Sequence, residues 1–295
     1  MIAPDEIWKL GQERQAARAS KNFALADQLR DQIAAAGWDV VDIAGSFELH
    51  KRIRYILAET IRSMKPVLDE CEVAIAMIVS GFQDDAIEAV KTIRAFNDAP
   101  IVILCLEEVG SLEEIVDEST VVIKVIEDCG WGQAANALLQ NVNSKYLVIM
   151  DPSTRFTDDA ISLVLAELKQ GTYAAVGWRG GLINLDDDWR SVDDKGDGEV
   201  DVLFSYFLGL DRDAALEVGG FNSRAIYYRN ADIEFSLKLR HASGHLLQMD
   251  LPLAQGRHHG YHDVDATFRE VQSKKNYDRI LERFRGKNAI LSPRR

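Results

Sequence analysis

The sequence predicts an α/β protein with a mostly parallel sheet covered by helices on both faces, preceded by a small helical unit. Two observations support this predicted fold class. From about residue 72 onward, short apolar runs alternate with amphipathic segments, a pattern typical of parallel sheets. The chain has 295 residues and is 47% hydrophobic, which is enough for a sizeable core. Residues 1–46 differ from this pattern and are predicted to form a separate module.

The N-terminal module is predicted to be mainly helical. One helix is expected over residues 5–19, and a second from about Lys21, where apolar residues recur at helical spacing up to Ile33. Gly37 provides a stop signal for this helix. The sequence WDVVDIAGSFEL then predicts a strand, a turn at Ala44-Gly45 and another short extended piece.

A helix is predicted to connect the module to the rest of the chain within residues 47–70. Between Phe47 and Met64, apolar residues recur on one face, and Pro66 follows the predicted end. The other face is basic and is consistent with a solvated surface. It is also consistent with peripheral contact with an acidic membrane surface or an acidic partner.

The α/β part, residues 71–290, is predicted to alternate strands with helices. Strands are expected over 73–79, 101–106, 121–126, 145–150 and 174–177, and helices over 84–96, 132–142 and 158–169. Ligands of such sheets bind beyond the carboxyl ends of the strands. The candidate binding residues are therefore those that follow each strand: Ser80, Gly81, Phe82, Glu107, Glu108, Asp128 and Asp151. Residues 185–200, which are acidic and contain glycine, are predicted to be a loop.

Composition narrows the class of protein. The formal net charge of −13 disfavours bulk binding to nucleic acid, because a phosphate backbone is repelled by most of such a surface. Three widely separated cysteines form neither a disulfide framework nor a metal-binding pattern, so a reduced, cytoplasmic location is expected. No apolar run has the length of a membrane span, and the N-terminus lacks the apolar region of a secretory signal.

The most informative stretch is VIEDCGWGQAANALLQNVNSKYLVIMDPSTRF. A turn at Gly130-Trp131-Gly132 opens a helix, which leads into an apolar strand that ends at Asp151. Taken alone, an aspartate in this position is equally consistent with a structural turn. The stretch resembles the family 2 glycosyltransferase pattern in which N-x-G-F-G-x-A-x-N precedes a strand and a D-x-D motif. The matching residues are Asp128, Gly130, Trp131, Gly132, Ala134, Asn136 and Asp151-Pro152-Ser153.

A second stretch, residues 201–244, resembles the downstream signature of the same family. There a run R-x-A-L-x-x-V-G-G-F-[DN] precedes E-D-x-D-L, and Asp232 and Glu234 fall on two of its acidic positions. Residues 256–284 resemble the closing histidine and final helix. The resemblance covers about residues 72–285. It implies a GT-A fold, a nucleotide-sugar donor, and hexosyl transfer to a sugar, lipid or small-molecule acceptor. It also implies which residues form the site, from their positions in the motifs.

The resemblance assigns roles to these positions. Asp232 is expected to be the general base of an inverting transfer, because the acceptor hydroxyl loses a proton as it attacks. A carboxylate that only stabilises a helix N-terminus is the structural alternative. Asp151, with His258 or His259, is expected to hold a divalent metal, Mn or Mg, although the histidines also suit a plain polar loop. The donor is expected to contact the strand-end residues together with Gly130, Asn136 and Ser153.

Two departures from the family pattern put metal dependence and activity in question. Ser153 stands where a carboxylate most often binds the metal, and a hydroxyl is a poorer ligand for a hard cation. Ala231 replaces the glutamate of E-D. A binding protein without catalytic activity on the same fold is therefore the second hypothesis.

The N-terminal module has a resemblance of its own. ERQAARASKNFALADQLRDQIAAAGWDVVD is similar over about 30 residues to the C-terminal end of cysteinyl-tRNA synthetases. That segment carries no catalytic residue, and residues 1–46 hold five basic and seven acidic side chains, a net charge of 5 − 7 = −2. We therefore expect a packing or partner-docking module, homo-oligomerisation included. A tRNA-linked accessory protein is the third hypothesis.

Overall fold

The chain folds into two compact units, Met1–Arg54 and Tyr55–Arg295. The computed structural model describes residues 3–256 and 264–294. Each unit is described by itself below.

The first unit consists of two helices and a β-hairpin. Its elements are α1 (Asp5–Ala19), α2 (Phe23–Ala35), β1 (Trp38–Ile43) and β2 (Ser46–Lys51). Ile7, Ile33 and Trp38 form its small buried core. The guanidinium of Arg14 donates two hydrogen bonds to the carboxylate of Asp42, at 2.7 and 3.0 Å, which ties α1 to β1. These hydrogen bonds lower the pKa of Asp42.

The predicted connecting helix between residues 47 and 70 is wrong. Residues Ser46–Lys51 form the second strand of the hairpin, and they are followed by the short strand β3 (Ile56–Ala58) and a 3-10 turn. Gly45, with φ of +78°, turns the chain back so that β2 pairs with β1. Phe47 is buried and Leu49 half-buried between exposed neighbours, an alternation of period two that pairing selects over helical spacing.

The second unit is built on one large sheet. Its remaining strands are β4 (Cys71–Val79), β5 (Ile101–Cys105), β6 (Thr120–Val125), β7 (Ser144–Met150), β8 (Thr154–Phe156), β9 (Tyr173–Gly177), β10 (Gly180–Ile183), β11 (Val192–Asp193), β12 (Gly198–Glu199), β13 (Val202–Leu203), β14 (Phe207–Asp211), β15 (His245–Gln248) and β16 (Leu253–Gln255). Eight of them, together with β3, form this nine-stranded sheet, in the order β12-β15-β9-β14-β7-β4-β5-β6-β3. Neighbours from β3 to β7 are parallel, whereas β14 is antiparallel to both of its neighbours.

Helices cover both faces of this sheet. They are α3 (Gln83–Arg94), α4 (Trp131–Asn141), α5 (Ala160–Leu168), α6 (Arg212–Glu217) and α7 (Ala231–His241), whereas α8 (Ala266–Phe284) packs with α7 in a third cluster. The alternation along β4 separates two cores. Met77 and its like-facing neighbours pack in the cluster that contains α3 and α5 residues, whereas Ala74 and Ala76 pack in the cluster that contains α4, α6 and α7 residues. The predicted α/β fold with a mostly parallel, doubly covered sheet is confirmed.

The register of the central strands brings their carboxyl ends to one edge. Val79 on β4 pairs with Cys105 on β5, and Met77 on β4 pairs with Met150 on β7. The loops after β4, β5, β6 and β7 therefore emerge together. Among the helices that the structure describes, none is long and apolar enough to cross a lipid bilayer.

Candidate functional site

A cavity of about 420 Å³ lies at the carboxyl ends of β4 to β7. Six of the residues predicted from the strand ends line it: Ser80, Gly81, Phe82, Glu107, Asp128 and Asp151. The opposite wall comes from the loop before α7, through Ile226, Tyr227 and Tyr228. The predicted cluster at the end of the sheet is thus assembled around one space.

The loop after β4 is shaped to present its side chains to this cavity. Gly81 has φ of +73° and Phe82 has φ of +46°, a left-handed conformation that is uncommon for an aromatic residue. The hydroxyl of Ser80 donates to Oε1 of Glu107 at 2.8 Å. This bond joins the ends of β4 and β5 and fixes the position of a carboxylate on the cavity wall.

Four other residues predicted to bind the donor do not line the cavity. Glu108 is exposed, and its backbone carbonyl accepts a hydrogen bond from Gln83. Asn136 lies on α4, where its side chain accepts from the backbone N–H of Phe221 at 2.8 Å and donates to the carbonyl of Phe221 at 2.9 Å. Asn136 therefore holds α4 against the segment that contains Phe221.

Gly130, the third of these residues, supports the cavity through its backbone. The N–H groups of Trp131 and Gly132 donate to the carbonyls of Ile226 and Ala225, at 3.0 and 2.8 Å. A Cβ atom on Gly130 would lie 2.8 Å from Cα of Ile226. The glycines of the first motif thus allow the N-terminus of α4 to pack directly against the loop between the two parts of the second motif.

Ser153, the fourth, is fully buried beneath Asp151. Its hydroxyl donates to Oδ1 of Asp151 at 2.5 Å and its backbone N–H donates to the same oxygen at 2.8 Å. Gln255, on β16, donates from Nε2 to the Ser153 hydroxyl at 2.7 Å. Ser153 therefore orients the carboxylate of Asp151, which lines the cavity.

This arrangement predicts the behaviour of Ser153→Asp. A second carboxylate beside Asp151 is buried and repelled when no cation is present, so we expect a lower melting temperature than in the parent protein. Mn²⁺ bound between the two carboxylates should restore the melting temperature by mass action. The measurement is thermal unfolding with and without Mn²⁺. Ser153→Asn is the control, because asparagine has the size of aspartate but no charge. An equal response of the melting temperature to Mn²⁺ in both variants would count against a metal site between residue 153 and Asp151.

Asp232 lies in the first turn of α7 and is almost completely buried. Its Oδ2 accepts hydrogen bonds from the backbone N–H and the hydroxyl of Ser205, at 2.9 and 3.2 Å, and its Oδ1 accepts from the N–H of Ile233 at 2.9 Å. Burial raises the pKa of Asp232, and the hydrogen bonds to its carboxylate partly oppose this shift. The carboxylate is therefore held in place and made more basic.

The raised pKa of Asp232 predicts a pH-dependent contribution to stability. The folded chain binds this proton more tightly than the unfolded chain, whose aspartates titrate near about pH 3.9. The contribution of Asp232 is therefore fully present below that pH and is lost as pH rises through the folded pKa. We expect the melting temperature of the parent protein, relative to Asp232→Asn, to fall as pH rises above about 3.9. Thermal unfolding at several pH values measures this difference, and a rise with pH would refute it.

A second cavity, of about 620 Å³, adjoins the first. The two share Asp151, Ser205 and Tyr228, and Asp232 lines only the second. Its other walls carry residues that sequence reasoning missed: Arg190, Ser191, Val192, Phe204, Tyr206, Arg229, Asn230, Ile233 and Tyr277. Asp232 thus lines a cavity that shares three lining residues with the strand-end cavity.

Glu234, the neighbouring acidic position of the second motif, has a different place. It is buried, and the side-chain amide of Asn222 donates to both of its carboxylate oxygens, at 2.9 and 3.0 Å. Arg279 on α8 lies 3.7 Å from the same carboxylate. Neither cavity is lined by Glu234, so this residue stabilises the packing of α7.

The predicted metal ligands are placed only in part. Asp151 lines both cavities, whereas His258 and His259 lie outside the described residues. Within residues 3–256 and 264–294, no three His, Cys, Asp or Glu side chains form a metal-binding group. One carboxylate completed by ligand oxygens is an arrangement that Mg²⁺ accepts in proteins, so Asp151 fits a metal that is bound jointly with a phosphate-bearing ligand.

Comparison with known sequences gives short local matches. No protein-family model matches the chain. A cysteine–tRNA ligase from Opitutus terrae is 46% identical over 46 residues, 16% of this chain and 10% of the ligase. The Streptococcus thermophilus enzyme is 55% identical over 38 residues, 13% of this chain and 8% of the ligase. The chain therefore spans only a small part of these relatives.

Comparison with solved structures covers most of the chain. GalNAc-T7, solved with UDP, GalNAc and Mn²⁺, aligns with a TM-score of 0.56 and 12% identity, over 72% of this chain and 47% of its own. The mannosyltransferase PcManGT from Pyrobaculum calidifontis, in complex with GDP-Man and Mn²⁺, aligns with a TM-score of 0.53 and 16% identity, over 76% and 67%. The chain spans about half the length of GalNAc-T7. At these identities the likeness is one of fold, and the fold is that of the GT-A glycosyltransferases.

Proposed function

We propose that this protein is a glycosyltransferase that moves a sugar from a nucleotide-sugar donor to a hydroxyl group of an acceptor. One observation carries the proposal. The buried residue Asp232 lines a cavity that shares three lining residues with the cavity at the strand ends, and Asp151 is one of the three. Two substrates in these two spaces would meet beside a base. The resemblance to family 2 in two separate motifs and the GT-A fold support this assignment.

In this proposal, the donor binds in the strand-end cavity. Its nucleoside lies toward the Ser80–Glu107 pair and Asp128, where carboxylates can accept hydrogen bonds from ribose hydroxyls or from the base. Phe82 and Trp131 supply aromatic surface on the same wall. The diphosphate then lies toward Asp151, so that the sugar extends into the second cavity.

The chemistry proposed for Asp232 is general-base catalysis of a single displacement. The acceptor oxygen attacks the anomeric carbon and forms the new C–O bond, while the bond between that carbon and the phosphate oxygen breaks. The electron pair leaves with the nucleoside diphosphate, and the acceptor proton passes to Asp232. A single displacement inverts the anomeric configuration. The hydrogen bonds from Ser205 orient the carboxylate, and its raised pKa makes it a stronger base.

Asp151 is the residue that would hold a divalent metal, Mn or Mg, bound together with the donor. Such an ion would neutralise charge that develops on the leaving group. The residues of this chain then have separate tasks. Ser153 orients Asp151, and Tyr228 lines both cavities.

The alternative is a nucleotide-sugar binding protein without transfer activity. It is favoured by Ser153 and Ala231, because each stands where the family pattern has a carboxylate. Donor binding without sugar transfer or donor hydrolysis would select this alternative.

For residues 1–46 we propose a partner-docking role. A salt-dependent shift of tRNA mobility would instead favour the tRNA-linked accessory function.

The donor site is tested by thermal unfolding against a panel of nucleotide sugars and nucleoside diphosphates, with and without Mn²⁺. A ligand that binds only the folded state raises its melting temperature. Glu107→Gln removes a charged acceptor from the cavity wall, and we expect it to weaken nucleotide binding about tenfold. Glu108→Gln is the matched control, since the adjacent side chain is exposed outside the cavity. Equal affinities in the two variants would reject the placement of the nucleoside.

A further inference from the structure

The second cavity carries two positive charges that donor chemistry does not account for. Arg190 and Arg229 line it together with Asp232. Both arginines are exposed, and within the described part of the chain neither guanidinium forms an ion pair or a hydrogen bond. Asp151 also lines this cavity, so its lining holds two arginines and two aspartates, a balance that differs from the net charge of −13 of the whole chain.

The loop of Arg190 is anchored on both sides of that residue. Asp187 accepts hydrogen bonds from the backbone N–H of Arg190 at 2.8 Å and from the hydroxyl of Ser191 at 2.6 Å. Trp189 is buried, and its carbonyl accepts a hydrogen bond from the hydroxyl of Tyr277 on α8. The carboxylate of Asp187 is therefore engaged with the loop itself, and the Arg190 side chain lies on the cavity wall.

The loop of Arg229 is held by the residue next to Tyr277. The side-chain amide of Asn276, which is almost fully buried, donates to the carbonyls of Tyr227 and Arg229, both at 2.8 Å. Adjacent residues of α8 thus fix the two loops that carry the two arginines. A spacing set by a helix is typical of a prepared binding site.

The remaining wall is aromatic and apolar. Phe204 and Tyr206 pack edge to face with ring centroids 6.4 Å apart, and Val192, Ile233 and Tyr277 extend the same lining. Such surfaces suit the C–H faces of a sugar or polyol, while guanidinium groups suit planar oxyanions. The lining of this cavity therefore combines guanidinium groups for an oxyanion, an aromatic and apolar surface for C–H groups, and Asp232 as a base.

We infer that the acceptor is a hydroxyl compound that carries a carboxylate or phosphate group, with its oxyanion bound by Arg190 and Arg229 and its hydroxyl directed at Asp232. The inference rests on the proposed function. The anionic group takes no part in bond making: the hydroxyl oxygen attacks the anomeric carbon, its proton passes to Asp232, and the nucleoside diphosphate leaves with the electron pair. The arginines position the acceptor and select it against neutral hydroxyl compounds.

The test is calorimetric titration of the full chain with two matched sets of probes, in the presence and absence of a nucleoside diphosphate. One set is glucose, glucuronate and glucose 6-phosphate, and the other is glycerol, glycerate and glycerol 3-phosphate. We expect an anionic member of at least one set to bind about tenfold or more tightly than its neutral counterpart. The carboxylate and phosphate arms identify which oxyanion is preferred.

Variants assign that preference to the arginines. Arg190→Gln and Arg229→Gln should each reduce it, whereas Arg224→Gln should retain it, because Arg224 is exposed and lies outside both cavities. Equal binding of neutral and anionic probes, or no binding of any probe, overturns the inference. So does a loss of nucleoside diphosphate affinity in Arg229→Gln, since the arginines would then serve the donor. If the anionic probes bind as expected and no nucleoside diphosphate binds, the oxyanion site stands and the proposed function fails.

Discussion

Asp232→Asn is expected to abolish sugar transfer while donor affinity and fold remain close to those of the parent protein. The amide has the size of the carboxylate but cannot take a proton from the acceptor at neutral pH. General-base catalysis contributes about 10²- to 10⁴-fold to rate, and the loss should fall on kcat. Turnover is measured as release of nucleoside diphosphate in the presence of acceptor, and donor affinity by titration.

The same substitution separates the catalytic role of Asp232 from a purely structural one. The carboxylate accepts three hydrogen bonds, and an amide oxygen can retain those from Ser205. Because the amide also avoids the cost of a buried charge, we expect a melting temperature within about 4 °C of the parent protein. Glu234→Gln is the matched control, since that carboxylate lies outside both cavities. A folded Asp232→Asn protein that keeps more than about a tenth of parental turnover would exclude Asp232 as the base.

Gly132→Ala is expected to be the most damaging single-methyl change near the site. A Cβ atom at this position would lie 2.1 Å from the backbone carbonyl oxygen of Asn222. No side-chain rotation relieves that contact, so α4 must separate from the loop at Ala225 and Ile226. Overpacking of this kind costs about 1–3 kcal/mol. Because Ile226 lines the strand-end cavity, we expect weaker nucleotide binding as well as a lower melting temperature.

Gly171→Ala is the control for this prediction. Gly171 has φ of +72°, and a Cβ atom there would have no neighbour within 4 Å. It therefore tests backbone strain alone, which costs roughly 1 kcal/mol, and nucleotide affinity should be unchanged. If Gly132→Ala matched Gly171→Ala in both stability and affinity, the close packing of α4 against the loop would be refuted.

The sheet and half of the site could be predicted because local patterns determine them. Apolar runs of strand length gave β4 to β7 within about two residues, and the parallel arrangement brings the ends of those strands to one edge. The sequence alone therefore predicts that four residues lie together: Ser80, Glu107, Asp128 and Asp151. The second strand of the N-terminal hairpin was missed in part, because Leu49, Ile53 and Ile56 recur at helical spacing, whereas Phe47 and Leu49 alternate as in a strand.

The roles of the bracing residues could not be predicted, because they depend on partners that are distant in sequence. Asn136 matches a motif position, yet its side chain pairs with Phe221, 85 residues away. Ser153 is directed to Asp151 by Gln255, which is 102 residues away. The second cavity depends even more on residues that are distant in sequence. Its two arginines come from separate loops, and both loops are hydrogen-bonded to α8. No periodicity or spacing marks such a set.

The most direct test of the central claim is a crystal structure of the protein with a nucleoside diphosphate and Mn²⁺. We predict that the nucleoside lies beside Ser80 and Glu107, with the diphosphate next to Asp151, which lines both cavities. Asp232 should then face the position of the transferred sugar. A nucleotide bound elsewhere, or no nucleotide from a panel of bases at saturating concentration, would contradict the proposed donor site.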